Sequence, residues 1–415
     1  MNKKNIVMLL DACFPTDVRV EKQAISLINS NLFNVYVICL RKLDEDSFED
    51  YKGINVIRIN SPALDQIVKK GIYDSFYSIR HFHNAFFNSL LKYHQKFSFD
   101  AIHVHDLPLA KTARIAAKKI KKPYVLDYHE NYAEGLKIWF EWRTKIIIRL
   151  KNLIFFNYKK WSRFEKIESE KSNYIITVVE EMKQRLVNQY NLNENKLLVI
   201  SNTENLDFHE NTVNLELHKN LQNKFLITYI GGIGPHRGID TAVEAMSEVK
   251  NIHKDALLLI IGGGSYEVIN KLKSIIKRKN LSDVVVLFGK VDISEVSFYM
   301  RNSQLNIIPH HSNQHTNNTI PHKLFQILLS KQPLLVSNSS PLERIVKTHN
   351  AGYIHKASDP NSFAEKVSEV YLNYDQAKER AENGYQACLK KGLNWKKSGD
   401  DLINFYKKII IDHKT

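Results

Sequence analysis

Short, almost wholly apolar runs recur along this chain, and amphipathic stretches separate them. In the first half the runs are Ile6 to Leu10, Val35 to Leu40, Ile54 to Ile59, Ala101 to Val104, Tyr124 to Asp127 and Tyr174 to Val178; helical periodicity fills intervals such as Val20 to Ser30 and Leu109 to Lys119. Runs apolar on both faces, alternating with helices, predict parallel strands covered on both sides. The pattern then restarts with Phe225 to Ile230, Leu257 to Ile261, Val284 to Phe288, Leu305 to Ile308 and Leu334 to Ser337. The fold class is therefore α/β, with two Rossmann-like, doubly wound domains whose sheets face a cleft. The Asn-rich stretch Asn202 to Asn214 lacks periodicity and predicts the link between them. Trp395 to Ile411 predicts an amphipathic helix that packs back on the first domain. The expected division is residues 1–203, residues 204–393, and a returning segment at 394–415. No short-period repeat is present, which argues against a solenoid.

Length agrees with this division, since 415 residues exceed one ordinary core and suit two. Three cysteines, Cys13, Cys39 and Cys388, are too dispersed for a disulfide framework or a zinc site, which fits a reducing compartment. The apolar run near the N-terminus is short for a signal peptide, and no later run approaches the ~18 residues of a membrane span. The expected location is the cytoplasm, with a peripheral place on the inner face of the membrane as its variant. A net charge of +15 calls for an anionic partner without choosing one.

In open parallel sheets ligands bind beyond the carboxyl ends of strands, so candidate chemistry is sought there. After Phe225 to Ile230 comes Gly231-Gly232-Ile233-Gly234-Pro235-His236-Arg237-Gly238. Glycines let backbone amides approach an anion, the next helix start adds its dipole, and Arg237 adds a charged fork. Alone, such a loop is as readily a plain turn. A dinucleotide site fits less well, because Gly262-Gly263-Gly264 stands where an acidic ribose partner belongs. That triplet reads equally as a turn or as backbone opened to a nucleotide base.

After Leu305 to Ile308 the histidines His310, His311 and His315 lack a carboxylate or thiolate to complete a metal set. The preferred reading is a polar loop capped into a helix by Asn318 or Thr319, with Pro321 in the first turn and Lys323 placed to reach an anion. Lys323 alone reads better as a solvated helix lysine. In the first half, His105-Asp106-Leu107-Pro108 and Tyr128-His129-Glu130 end adjacent strands. Histidines at equivalent strand ends point to a site rather than to two unrelated core residues.

Taken together, Asp17-Val18-Arg19-Val20-Glu21, His105-Asp106-Leu107-Pro108, Asp127-Tyr128-His129-Glu130, the Gly231 to Gly238 loop and Pro321-His322-Lys323-Leu324-Phe325-Gln326 resemble glycosyltransferase family 4. These are retaining enzymes of the GT-B fold, and the likeness is to bacterial envelope-polysaccharide members. The resemblance implies transfer of a sugar from a nucleotide-diphosphate donor, held by the second domain, to a glycan or lipid-linked acceptor held by the first. It implies no cofactor and no essential metal. Gly232, Gly234, Arg237, Gly263, Asn318, Thr319, Lys323 and Gln326 would bind donor, and Arg19, Asp106 and Glu130 would bind acceptor. His105, His129 and Arg237 would act at the reaction centre, where the task is to stabilise a departing diphosphate. The sequence departs from the family where glutamates are usual, having Asn318 and Gln326. Gln326 can still accept a hydrogen bond, but without charge.

From Leu136 to Lys166 nine Lys or Arg oppose two acids, interleaved with Trp139, Phe140, Trp142, Phe155, Phe156, Tyr158 and Trp161. An anionic membrane face and a buried helix explain this stretch equally well. No nucleic-acid-binding module accompanies the charge. Two other functions stay open: a nucleotide-sugar epimerase on the same fold, and a glycosyltransferase-like accessory subunit without catalysis.

Overall fold

The structure, a computed structural model, describes residues 2–59, 69, 77, 79–139, 154–208 and 223–412. The chain divides into two compact units, Met1–Leu136 with Lys145–Ser201 and Lys397–Thr415, and Lys137–Thr144 with Asn202–Lys396.

The first unit holds β1 (Lys4–Leu10), β2 (Phe33–Cys39), β3 (Phe48–Tyr51), β4 (Ile54–Arg58), β5 (Ala101–His105), β6 (Tyr124–Tyr128), β7 (Tyr174–Thr177) and β8 (Leu197–Val199). They form one sheet in the order β3-β4-β2-β1-β5-β6-β7-β8. The pairs are parallel except β3 with β4. The described helices here are α1 (Val18–Asn29), α2 (Asn84–Phe97), α3 (Ala110–Ile120), α4 (Tyr132–Trp139), α5 (Tyr158–Lys171) and α6 (Glu180–Tyr190). Helix α1 begins because the Asp17 carboxylate accepts the Arg19 amide, and its inward stripe is Val20, Gln23, Ala24 and Leu27. Gln23 is thus a polar residue on a buried face.

The second unit holds β9 (Phe225–Ile230), β10 (Ala256–Ile261), β11 (Val285–Gly289), β12 (Leu305–Ile308), β13 (Leu334–Ser337) and β14 (Tyr353–His355). Their order is β11-β10-β9-β12-β13-β14, all parallel. Every residue of β9 and β10 is buried, as expected of central strands covered on both faces. The described helices are α7 (Ile239–Ile252), α8 (Tyr266–Arg278), α9 (Val296–Arg301), α10 (Lys323–Leu329), α11 (Ser340–His349), α12 (Pro360–Leu372) and α13 (Tyr374–Lys390). The last helix, α14 (Trp395–Tyr406), continues into a π-helical turn at Lys407–Asp412. From Lys397 onward it groups with the first unit, where Tyr406 packs edge-on to Phe33 and Phe405 edge-on to Tyr174.

The strands that periodicity did not announce, β3, β8 and β14, lie at or near sheet edges and span only three or four residues. The 136–166 stretch splits in character. Trp161 is 1% exposed and packed against His81 and Tyr132, so it is core rather than a surface anchor. Phe140 and Trp142 lie outside the described residues, as do 209–214 of the expected link.

In both sheets the winding reverses direction once, between β1 and β5 and between β9 and β12. A crevice opens beyond the carboxyl ends of strands at such a reversal. Both groups of candidate residues lie there.

Candidate functional site

At the first reversal, β5 ends in His105 and the neighbouring β6 carries Asp127 directly across from it. His103 and His105 are two apart on β5 and therefore share one face of the sheet. Asp127 is fully buried, and one of its oxygens, Oδ2, gathers the surrounding donors. Gln23 Nε2 lies 2.9 Å from it, His129 Nε2 2.9 Å and His103 Nε2 3.1 Å. His105 Nδ1 stands 3.5 Å from the same oxygen and 3.3 Å from His129 Nε2. Helix α1, strands β5 and β6 and the turn after β6 thus converge on one carboxylate.

Burial opposes charge on all these groups, but the outcomes differ. Asp127 falls well below the ordinary carboxylate range, because His129 and the hydrogen bonds from His103, His105 and His129 outweigh its desolvation. His129 is raised despite burial, since Asp127 and Asp106 favour its cation over the opposing Arg19. His105 is pushed down to about 3 by burial and by His103, which makes it neutral at pH 7. The cluster therefore contains one buried ion pair, Asp127 with His129, beside a neutral imidazole.

Asp106 braces His129 from the other side, accepting its amide at 3.0 Å and lying 3.6 Å from Nδ1. Asp106 sits at φ +62 and ψ 166, a backbone conformation that costs a non-glycine residue roughly 1–3 kcal/mol and is concentrated at functional sites. Arg19 is gripped by Asp17 through Nε at 3.0 Å and Nη2 at 2.7 Å, and it feels the charges of Asp106 and Glu130. Arg19, Asp106, His105, His129 and Glu130 are thus gathered at one end of the sheet.

At the second reversal the loops after β9 and β12 meet backbone to backbone. A Cβ on Gly238, at φ +63, would fall 1.9 Å from the Pro309 carbonyl oxygen. Only glycine allows this approach. His311 N donates to His236 O at 3.1 Å and completes the junction. On the other flank Ile233 N donates to Gly263 O at 2.8 Å, and a Cβ on Gly262 would lie 1.9 Å from Gly231 O. The glycine triplet after β10 therefore receives the β9 loop, which decides for the turn reading at Gly262 and Gly264. Gly232, by contrast, faces open space.

Arg237 extends from this loop and donates from Nη1 to His310 Nε2 at 3.2 Å. His310 is buried, and desolvation together with Arg237 and Lys323 drives it far below the usual imidazole range, so it is a neutral acceptor. His236 is pushed down to about 2 by burial and by the same cations. Lys323 is the first residue of α10, and its stem is half-buried while its ammonium nitrogen is enclosed without a hydrogen-bond partner. That nitrogen lies 3.7 Å from the centre of the Tyr229 ring. Burial and Arg237 depress its pKa strongly. The carboxylate of Asp240 beside the loop is engaged by His311 at 3.0 Å and Lys271 at 3.3 Å. Around Arg237 and Lys323 the surroundings are aromatic, glycine and neutral imidazole.

The expected cap of α10 is not formed. Asn318 turns back to the Gln314 carbonyl at 2.7 Å and Thr319 to the His315 carbonyl at 3.1 Å, because the chain makes a 3-10 turn at Thr316–Asn318 and becomes extended at Thr319 before Pro321. Gln326 donates to Glu204 Oε2 at 2.9 Å, and His322 Nε2 lies 3.0 Å from the same oxygen. A buried carboxylate from the interdomain stretch thus sits beside the residue that lacks one.

The model for Glycosyltransferase Family 4 matches residues 29–208, and that for Glycosyl transferases group 1 matches residues 214–387. The chain belongs to glycosyltransferase family 4. An uncharacterised glycosyltransferase of Methanocaldococcus jannaschii is 24% identical over 360 residues, covering 86% of each chain. Among solved structures, sucrose-phosphate synthase of Thermosynechococcus elongatus superposes with a TM-score of 0.80 at 15% identity, over 98% of this chain and 99% of that one. HepE of Anabaena, solved in complex with UDP, gives 0.69 at 12% identity over 98% and 100%. Both of this glycosyltransferase's domains are the Rossmann-like domains of the GT-B fold.

Sequence reasoning on this glycosyltransferase gave no site role to Asp127, His103, Gln23 or Tyr406, and it weighed His310 only as a metal ligand. A visible signal existed for two of them: Asp127 is the charged residue of an otherwise uncharged strand, and His103 is one strand repeat from His105. Gln23 and Tyr406 carried none, since each reaches the cluster from another part of the chain. Among the described residues, His103, His105 and Asp127 are the side chains near enough to share a metal ion. Of these, His103 Nε2 bonds Asp127 Oδ2 and His105 Nδ1 faces His129 Nε2, while Asp127 Oδ1 and His105 Nε2 are buried without a hydrogen-bond partner. Also among the described residues, no helix is long and apolar enough to cross a membrane.

Proposed function

We propose that this glycosyltransferase moves a sugar, with retention of anomeric configuration, from a nucleotide-diphosphate donor to a glycan or lipid-linked acceptor of the cell surface. The observation that carries the reading is the pair Arg237 and Lys323 beside the Gly231 to Gly238 loop. The Arg237 guanidinium and the buried, unpartnered Lys323 amine are brought together there, and an anion beside them favours the proton that burial and Arg237 disfavour on Lys323. Such an arrangement is costly until an anion arrives, and a diphosphate supplies two adjacent anionic groups. The open Gly232 and the start of α7 leave backbone room for it.

As the bond to the sugar breaks, negative charge grows on the departing diphosphate, and fixed cations stabilise it without a metal. In the first domain the charged His129, held by Asp127 and Asp106, and the neutral His105 serve the acceptor side. Arg19 and Glu130 contribute polar contacts to the acceptor. The reading places the protein in the cytoplasm, against the inner membrane face when its acceptor is lipid-linked. The experiment is a thermal-shift screen against UDP, GDP, ADP and CMP sugars, followed by NMR of the product formed from the stabilising donor and a panel of acceptors. An α-linked product from an α-linked donor supports the proposal. Conversion of donor alone to an epimer, or binding without turnover on any acceptor, overturns it.

A further inference from the structure

The buried cluster of the first domain does not end at the histidines of the two strand ends. Tyr406, on the last turn of α14, is fully buried and places its hydroxyl 2.7 Å from His103 Nδ1. The other ring nitrogen of His103 faces Asp127 Oδ2 at 3.1 Å. A continuous line therefore runs from the Tyr406 hydroxyl through the His103 ring to the carboxylate that holds His129 at 2.9 Å.

Hydrogen-bond accounting assigns direction to this line. Asp127 is ionised and can only accept, so His103 Nε2 must carry a hydrogen. Among the described residues the Tyr406 hydroxyl has one partner, His103 Nδ1. If that nitrogen also carried a hydrogen, the phenol hydrogen would be buried without an acceptor, at a cost of about 1–3 kcal/mol. Tyr406 therefore donates to Nδ1 and selects the tautomer of His103 that donates to Asp127.

We propose that Tyr406 and His103 are positioning residues for sugar transfer: the hydroxyl of the terminal helix fixes the His103 tautomer, and His103 in turn anchors Asp127 against His129. The α14 helix is then part of the catalytic apparatus rather than only a closing strap of the fold. Three donors on Oδ2, from Gln23, His103 and His129, spread the carboxylate charge. Loss of one concentrates that charge on His129 and strengthens its hold on the proton. The other charged or titratable groups that face this pair are Arg19 and Asp17 from α1, His105 and Asp106 from the end of β5, and Glu130 after His129. None of them replaces a donor on Oδ2 from the side of α14.

The inference rests on the proposed use of His129 in transfer, so the experiment has two independent readouts. Tyr406→Phe keeps the ring and removes only the hydroxyl. The full-length variant is compared with the wild type by NMR titration of the His129 imidazole and by the pH profile of transfer. The expected result is an upward move of the His129 pKa and of the alkaline limb of the profile by about half a unit to one unit. A roughly tenfold fall in kcat with unchanged donor KM accompanies it. In a His103→Gln background, where an amide nitrogen donates to Asp127 without a tautomer to select, Tyr406→Phe has no further effect on either pKa. An unmoved His129 titration in Tyr406→Phe overturns the inference, as does a kcat loss that merely follows reduced thermal stability. A moved titration in a protein that transfers no sugar leaves the linkage standing and overturns the proposed function instead.

Discussion

The ends of the two sheets solve opposite electrostatic problems. At the first domain's sheet end three ion pairs are formed among the described residues: Asp127 has His129, Arg19 has Asp17, and Asp106 closes on His129. In the second domain Arg237 leans on a neutral imidazole and the Lys323 ammonium has only an aromatic face. A self-paired cluster holds its geometry with or without ligand, as positioning chemistry requires. An unpaired cationic pocket is strained when empty and relieved by an anion, as binding requires. Under the proposed function this contrast gives geometry to the first domain and affinity to the second.

The largest expected effect tests the geometric half. Asp127→Asn removes the charge on which His129 depends, and kcat should fall by roughly 10³-fold while nucleotide-diphosphate affinity, followed by calorimetry, stays the same. A loss of donor affinity in that variant would erase the division between the domains. Next comes Arg237→Ala, which should weaken a nucleoside diphosphate by about a hundredfold, ~2.7 kcal/mol, and the corresponding nucleoside hardly at all. Equal losses for both ligands would remove Arg237 from the phosphates.

Lys323→Met sharpens the comparison because two of its effects oppose each other. Diphosphate binding should weaken by about tenfold, whereas the free protein should gain on the order of 1 kcal/mol, since an unpaired buried ammonium is replaced by an apolar side chain. The sign follows from linkage. The Lys323 pKa is lowered on folding, so the unfolded chain binds more protons, and this group makes stability rise with pH up to the unfolded lysine value. Urea unfolding at several pH values should show a more positive slope in the wild type than in the variant. A variant less stable than the wild type would mean that the ammonium is paired.

A smaller effect concerns His129, whose pKa is raised. Its stabilising charge is complete below the unfolded imidazole value and is lost as pH rises through the folded one. Compared with Asp127→Asn, the wild type in urea unfolding should therefore lose stability as pH rises above the unfolded imidazole value. The smallest expected effect is that of a chelator. Dialysis against EDTA should change transfer by less than about twofold if, as proposed, cations of the chain itself face the diphosphate. A larger fall, restored by a divalent ion, would show that Arg237 and Lys323 do not suffice.

The sequence by itself determined the two wound sheets, their central strands and the loops after them, because runs buried on both faces and glycine-rich strand ends are local patterns. It also placed His105, His129, Arg237 and Lys323 at or just beyond strand or helix ends from the periods around them, and the resemblance of their motifs implied their roles. It misjudged the cap of α10, since Asn318 and Thr319 have good capping chemistry but the turn before them claims their side chains. Edge strands β3, β8 and β14 were too short to register as patterns. Only the tertiary structure decided which charges are paired. Gln23 meets Asp127 across 104 residues, His103 meets Tyr406 across 303, and Glu204 meets Gln326 across 122. Pairing depends on which side chains are packed together away from water, and that is a property of the fold rather than of any stretch of chain.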